Sequence, residues 1–361
     1  MERLSKHQLF ALMFIFEVGS TTIFALGIEA KQDAWIVILV ALLIGLIFVW
    51  VYTELQNAFP DKNYVEIIFA VLGNKLGIPF VILTMLGYSW QCARNLREFG
   101  ELILMTILPG VPLWFINFLF ILLSIYTLSK GVEVLARTSE IIAPVMIVFA
   151  IFIYTFVYIS GNLDFSNLMP VLGGGIKPVA KVVPDVVVFP FGEMFVFLMY
   201  WNRANERNIV RKTAVKAVFW SGILLSISLI MDISALGVKY TSIATIPLLE
   251  TIRLINVGNI ITNIDSIGII IIFFGGFFKM STYLNAIASI PTILFKIKNY
   301  KLVLIITGAI LLWFSIVFEP SYSYHKWMFP FDARHFVIFY ANIDPLLLLF
   351  IYKIKRKRVQ L

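Results

Sequence analysis

Cysteine is nearly absent. The single thiol, Cys92, excludes an intramolecular disulfide and reads as a small apolar packing residue. Histidine is almost as rare: His7, His325 and His335 are scattered, with no metal-ligand spacing. Charged residues make up 14% of the chain, against about 25% in an ordinary soluble domain. No nucleophile motif appears, and no polar stretch is long enough for a soluble catalytic domain. Gly173–Gly175 is not a phosphate loop, because no Gly-Lys-Ser/Thr follows and no strand precedes it. These absences argue against an enzyme, a metalloprotein and a disulfide scaffold. No cofactor is expected.

What the chain has instead is apolar sequence. Sixty per cent of its residues are hydrophobic. A bilayer core of about 30 Å needs about 20 apolar residues per helix. Ten runs meet or approach that length: 9–28, 34–52, 77–105, 113–129, 141–160, 185–201, 217–238, 264–290, 302–318 and 335–352. The fold class expected is an all-α integral membrane protein with ten transmembrane helices. The third and eighth runs exceed a perpendicular crossing and are expected to tilt or protrude. Arg3 and Lys6 before the first run imitate a signal peptide, but Glu17 in its middle argues for a retained span.

The formal net charge of +8 does not point to nucleic acid, because the positive residues sit in particular loops. With the N-terminus cytoplasmic, inside segments hold 19 Lys and Arg and outside loops hold 7. That asymmetry places both termini in the cytoplasm. The clusters at 203–216 and 353–358 read as topology determinants facing anionic lipid. After Pro60, Tyr64, Ile67, Ile68, Val71 and Leu72 fall at helical spacing and predict a short amphipathic helix on the cytoplasmic surface. Apolar patches at 168–172 and 246–255 predict outer-loop segments folded against the external mouth.

Two runs are interrupted in matching ways. Glu17, Gly19, Ser20, Thr21 and Thr22 break the first; Phe189, Pro190, Phe191, Gly192 and Glu193 break the sixth. The breaks lie nearly half the chain apart. Glycine permits unusual backbone angles, hydroxyls bond freed carbonyls, and proline removes a donor. Half-helix N-termini at such breaks attract a carboxylate, and paired breaks are a sequence pointer to a solute site. The competing reading is two kinked helices with no ligand.

Glu17 and Glu193 are the sharpest single residues, since a buried carboxylate is costly unless paired or protonated. Either is a candidate for proton or ion coupling; Glu193 could instead bind a substrate ammonium or tie the broken helix together. Lys279, mid-way along the eighth run, reads either as their cation partner or as a lysine snorkelling to the inner interface. In the third run Thr84, Tyr88, Gln91, Asn95 and Glu98 form a polar stripe, with Tyr88 a candidate ligand contact. Arg94 with Glu98, and Arg97 with Glu101, have the spacing of i,i+4 pairs. They read as an external vestibule or as a solvated, self-paired helix end. Asp232 and Asp265 are assigned to outer span ends.

Several stretches together resemble a known family. They are Phe59-Pro-Asp-Lys-Asn-Tyr-Val-Glu66, Leu72-Gly-Asn-Lys-Leu-Gly77, Leu96-Arg-Glu-Phe-Gly-Glu101, Leu108-Pro-Gly-Val-Pro112, Gly131-Val-Glu-Val-Leu-Ala-Arg137 with Pro144, Asn167-Leu-Met-Pro170 and Phe189-Pro-Phe-Gly-Glu193. In order and spacing they resemble the endospore germination permeases, the B subunits of nutrient germinant receptors, within the amino acid–polyamine–organocation superfamily. The resemblance spans essentially the whole chain. It implies a five-plus-five inverted repeat, with residues 1–160 and 185–361 as the two halves of one membrane domain joined by outer loop 161–184. It implies a ligand site between the first and sixth helices, A-type and C-type partner subunits, and the spore inner membrane. One departure is Asn263 before Asp265, where such sequences often carry an acidic–Arg pair; an external ion pair built on that arginine is in question here.

The expected function is a transporter-like sensor. A small nutrient, an amino acid being the expected class, binds at Gly19, Ser20, Thr21, Thr22, Tyr88, Pro190, Phe191, Gly192 and Glu193. The main rival is a genuine proton-coupled amino-acid permease using Glu17, Glu193 or Lys279. A structural subunit with a vestigial site is a third class. No channel filter pattern appears, and nucleic acid is not an expected partner.

Overall fold

The computed structural model describes residues 3–19, 21–256 and 265–359, with side chains to Arg356. Ser20 and Asn263 lie outside the described residues. Among those described, the chain is helical throughout and its one β-bridge joins Leu4 to Ala204. Eight helical segments are long and apolar enough to cross a membrane, and Leu113–Ser129 falls just short in length.

The helices are α1 (Lys6–Gly19), α2 (Ala34–Ala58), α3 (Tyr64–Thr106), α4 (Leu113–Ser129), α5 (Val132–Ile159) and α6 (Lys177–Val188). They continue as α7 (Ile209–Ile243), α8 (Pro247–Arg253), α9 (Asp265–Leu294), α10 (Tyr300–Val317), α11 (Tyr322–Asp332) and α12 (Asp344–Val359). A π-helical stretch, Ala333–Ile343, joins the last two. Outward-facing positions are apolar, as a lipid-facing surface requires: Leu43, Ile47, Ile141 and Trp313 are all exposed.

Both predicted breaks are present. α1 stops at Gly19, and a single 3₁₀ turn, Thr21–Ile23, follows. α6 stops at Val188, and the chain resumes as a 3₁₀ segment, Phe191–Met199. The Thr21 hydroxyl bonds the Glu17 carbonyl, taking up one of the acceptors left by the helix end. The two broken spans are fastened at one end: the Leu4 amide donates to Arg203 O (2.8 Å) and the Asn205 amide to Leu4 O (2.9 Å).

α3 is two helices. Gly73, at φ +71°, takes a backbone angle that side chains rarely adopt and separates Tyr64–Leu72 from the long span. Asn63 and Glu66 form a capping box at its start. This is the expected amphipathic helix, and its apolar face turns into the protein, with the Tyr64 ring 6.1 Å from Phe195. On the outer-loop side, Ile246, Leu248, Leu249, Ile252 and Ile255 are buried as expected. The 168–172 patch is not. Met169, Val171 and Leu172 are exposed, and the segment is held by polar bonds instead, from Gln32 Nε2 to Pro170 O and from the Leu172 amide to Asp33.

Close helix crossings use small residues. α2 lies on the second break, where Gly45 faces Phe191, and on α7, where Gly222 faces Leu42. α1 and α9 touch backbone to backbone at Gly19 and Gly275.

Candidate functional site

Gly275, Lys279 and Tyr283 recur every four residues, so they share one face of α9. That face meets the two breaks. Gly275 is in contact with Gly19, at the end of α1. Lys279 Nζ lies 2.5 Å from Glu193 Oε2, and Tyr283 donates to Glu193 Oε1 at 2.8 Å. The same Nζ sits 4.4 Å from the Phe189 ring centroid and 5.2 Å from that of Phe16. All of these side chains are buried. Lys279 is therefore a partner of Glu193 and does not snorkel. The reason is physical: a completely buried ammonium needs a carboxylate to offset its desolvation.

Glu17 is also fully buried, close enough to Lys279 and Glu193 for direct charge interaction. Neither of its oxygens finds a hydrogen-bond partner among the described residues. Tyr88 joins the cluster through its ring, 4.9 Å from Phe195 and 5.8 Å from Tyr283. Pro190, Phe191 and Gly192 are buried at the second break. Thr21 is occupied by its bond to the Glu17 carbonyl. Thr22 is not brought to the centre. It lines a void of about 10 Å³ with Met146, Tyr154 and Leu248.

Tyr52 and Asn342 hold the second break and were not legible in the sequence. The Tyr52 hydroxyl donates to Ala341 O (2.9 Å), reaches Gly192 O at 3.4 Å, and accepts from Asn342 Nδ2 (3.2 Å). A Cβ on Gly192 would come within 2.9 Å of Asn342 Oδ1. The only signal available was an asparagine inside an apolar run.

The polar stripe of α3 is buried apart from Gln91, and so are the arginines beside it. Arg94, Arg97 and Glu98 are each no more than 6% exposed, which overturns the solvated helix end. Arg97 pairs with Glu101 at 2.7 Å, as the spacing predicts. Arg94 does not pair with Glu98. Its guanidinium lies 3.2 Å from Glu319 and 3.6 Å from Asp332 and donates to His325 O (3.0 Å), while His325 Nδ1 contacts Glu319 at 2.7 Å. Two carboxylates and a carbonyl from distant sequence satisfy a buried guanidinium fork better than one adjacent glutamate. Asp232 is buried too, accepting from the Thr251 hydroxyl (2.7 Å) to tie α7 to α8.

Three phenylalanines stand between Lys279 and a cavity of about 200 Å³ that Phe24, Phe329 and the Arg94 partner His325 help to line, with Gly27, Val182 and Thr241. They are Phe24, Phe189 and Phe329, with centroids 5.4–6.2 Å apart. A larger cavity, about 690 Å³, lies at the opposite end among Asn63, Lys130, Asn285 and Lys301.

Comparison with known proteins places this geometry. Several solved transporters share the fold. MhsT in complex with L-phenylalanine superposes with a TM-score of 0.69 at 16% identity, covering 97% of this chain and 89% of its own. A Na⁺-coupled sialic acid symporter gives 0.64 at 17% identity, covering 93% and 79%. At these identities the likeness shows the fold alone. Sequence relatives go further. “Spore germination protein KB” of Bacillus subtilis (strain 168) is 35% identical over 90% of this chain and 87% of its own length. “Spore germination protein YndE” of the same organism is 28% identical over 62% of this chain and 61% of its own. A model of the family described as “Spore germination protein” matches residues 3–323. The chain is a multi-pass, transporter-fold member of the spore germination protein family of permeases.

Proposed function

We propose that this chain is the permease-like B-type subunit of a spore germinant receptor. It binds a small nutrient between its two broken spans and signals to A-type and C-type partner subunits in the spore inner membrane. The observation that carries the site is the convergence of both breaks on one buried ionic cluster, Glu17, Glu193 and Lys279. Polar groups of that kind inside a membrane domain mark substrate or ion pathways. The relatives' printed names support germination as the process, and the L-phenylalanine bound to MhsT supports an amino acid as the ligand class.

The element order supports ten spans in a five-plus-five inverted repeat, with 1–160 and 185–361 as halves and both termini cytoplasmic. α2 is followed by the short helix Tyr64–Leu72 and then a long span; α7 is followed by the short helix α8 and then the long α9. Binding works through differential affinity for one arrangement of these halves.

The test is Glu193→Gln in spores. We expect weakened nutrient response at unchanged membrane abundance; an unchanged dose–response overturns the site. The transporter fold keeps a proton-coupled permease as the second reading, and its test is concentrative uptake that a protonophore abolishes.

A further inference from the structure

Phe16, Phe189 and Glu193 come from two separate spans, yet all three face one atom, Lys279 Nζ. A carboxylate flanked by two aromatic faces is the chemistry that selects an ammonium. Tyr283 holds that carboxylate in place through its other oxygen. Lys279 is thus seated in a site built for an ammonium group.

The second carboxylate makes this more than a structural ion pair. Glu17 adjoins Phe16 in sequence, lies within electrostatic range of both Lys279 and Glu193, and has neither oxygen hydrogen-bonded among the described residues. Two buried carboxylates share one lysine. We propose that the box of Glu193, Phe16 and Phe189 is the ammonium site for the nutrient, and that Lys279 is its resident occupant. An incoming primary ammonium takes the box, and Lys279 moves across to Glu17. The lysine stem is flexible enough to serve either carboxylate. The exchange brings the cluster's charge into balance, since two carboxylates and one lysine become two carboxylates and two ammonium groups. With Lys279 in the box, Glu17 has the lysine's charge in range but no bond to either oxygen among the described residues; with the ligand in the box and Lys279 turned to Glu17, both carboxylates are paired. The ligand class is therefore a primary ammonium compound, such as an amino acid, and neutral sugars or nucleosides cannot make the exchange. The nutrient role assigned to the box rests on the receptor reading above.

Lys279→Ala removes three methylenes and the ammonium, the shape of a propylammonium ion. Melting of the full chain in nanodiscs is compared for wild type, Lys279→Ala and Lys279→Ala/Glu193→Gln, with millimolar propylammonium or propanol. Propylammonium raises the melting temperature of Lys279→Ala in a saturable way, raises wild type less because Lys279 competes, and leaves the double variant unmoved. No rise in Lys279→Ala, or an equal rise in the double variant, overturns the box. Where Lys279→Ala yields no folded protein, cells are grown with each additive. Recovery of intact chain with propylammonium alone supports the proposal, and no difference between additives overturns it. Glu17→Gln tests the swing in spores. It removes the second seat of Lys279 and shifts the response to amino acids to higher concentration, whereas an unshifted response at equal abundance overturns the swing. The propylammonium assay contains no nutrient and no partner subunit. Its failure strikes the box alone, and the receptor reading stands or falls on the germination assays.

Discussion

Gly275→Ala gives the sharpest test of how the site is held. A Cβ at this position would lie 2.1 Å from Gly19 Cα and 2.4 Å from Gly19 C and O. Carbon atoms in good contact sit about 3.5–4.0 Å apart, so α1 and α9 must part by more than about 1 Å. Both obstructing groups are backbone, so no rotamer change relieves the contact. Overpacking of a tight interior costs about 1–3 kcal/mol and occasionally more, and the backbone contact places this substitution at the upper end, about 3 kcal/mol. The separation falls one helical turn from Lys279, so the geometry around Glu193 opens as well. Melting of the purified chain reads the first effect and a nutrient dose–response in spores reads the second. Gly174→Ala is the control: its nearest neighbour is Pro178 Cγ at 3.5 Å, an ordinary contact, and its expected effect is within about 0.5 kcal/mol. If Gly275→Ala melts with Gly174→Ala and germinates normally, the claim that α1 and α9 meet at these glycines is wrong.

Two further substitutions separate buried from exposed electrostatics. Arg94→Ala leaves Glu319 and Asp332 buried without their shared cation, and the expected loss is about 3–5 kcal/mol, measured as melting temperature and as membrane abundance. Arg334→Ala breaks a shorter contact, with Asp185 at 2.6–2.7 Å, but Arg334 is half-exposed. Its expected cost is about 0–1 kcal/mol and shrinks with added salt; equal losses for the two variants would contradict the burial argument.

The parts legible in the sequence share one property: they are local contradictions. A glutamate, a glycine or a lysine inside an apolar run is visible without knowing what it touches, and Glu17, Gly19, Glu193 and Lys279 were found that way. The helices were legible because bilayer thickness sets their length. What was not legible is pairing across sequence. Arg94 has Glu98 at the right helical spacing, yet its charge is met by Glu319 and Asp332, more than 200 positions away. Burial of α3 on all sides over 92–100 decides this, and periodicity does not report it. Tyr283 was available in principle, four residues beyond Lys279 on the same face. Phe24 and Phe329 carried no signal at all, being two among 33 phenylalanines, and Phe189 stood out only through the break it precedes.

The two ionic clusters differ in a way that locates movement. Around Arg94 each charge has an opposite charge or a carbonyl in reach, and the groups come from α3, α11 and the turn between α10 and α11. Shifting those elements would break several buried contacts at once. At the other end, the Leu4–Ala204 bridge ties the start of α1 to the end of the second broken span. Between these fasteners, α1 meets α9 through two glycines, and one carboxylate of three charged groups has no hydrogen bond among the described residues. Moving a two-state equilibrium from 1:99 to 99:1 needs about 5.5 kcal/mol of differential binding. Leaving a buried charge without its partner costs about 3–5 kcal/mol. A ligand that completes the pairing of Glu17 and Glu193 would thus relieve a cost comparable to what a switch requires, at a point between the two fasteners. Around Arg94, Glu319 and Asp332 already have a counter-charge in contact, so a ligand has less to gain there.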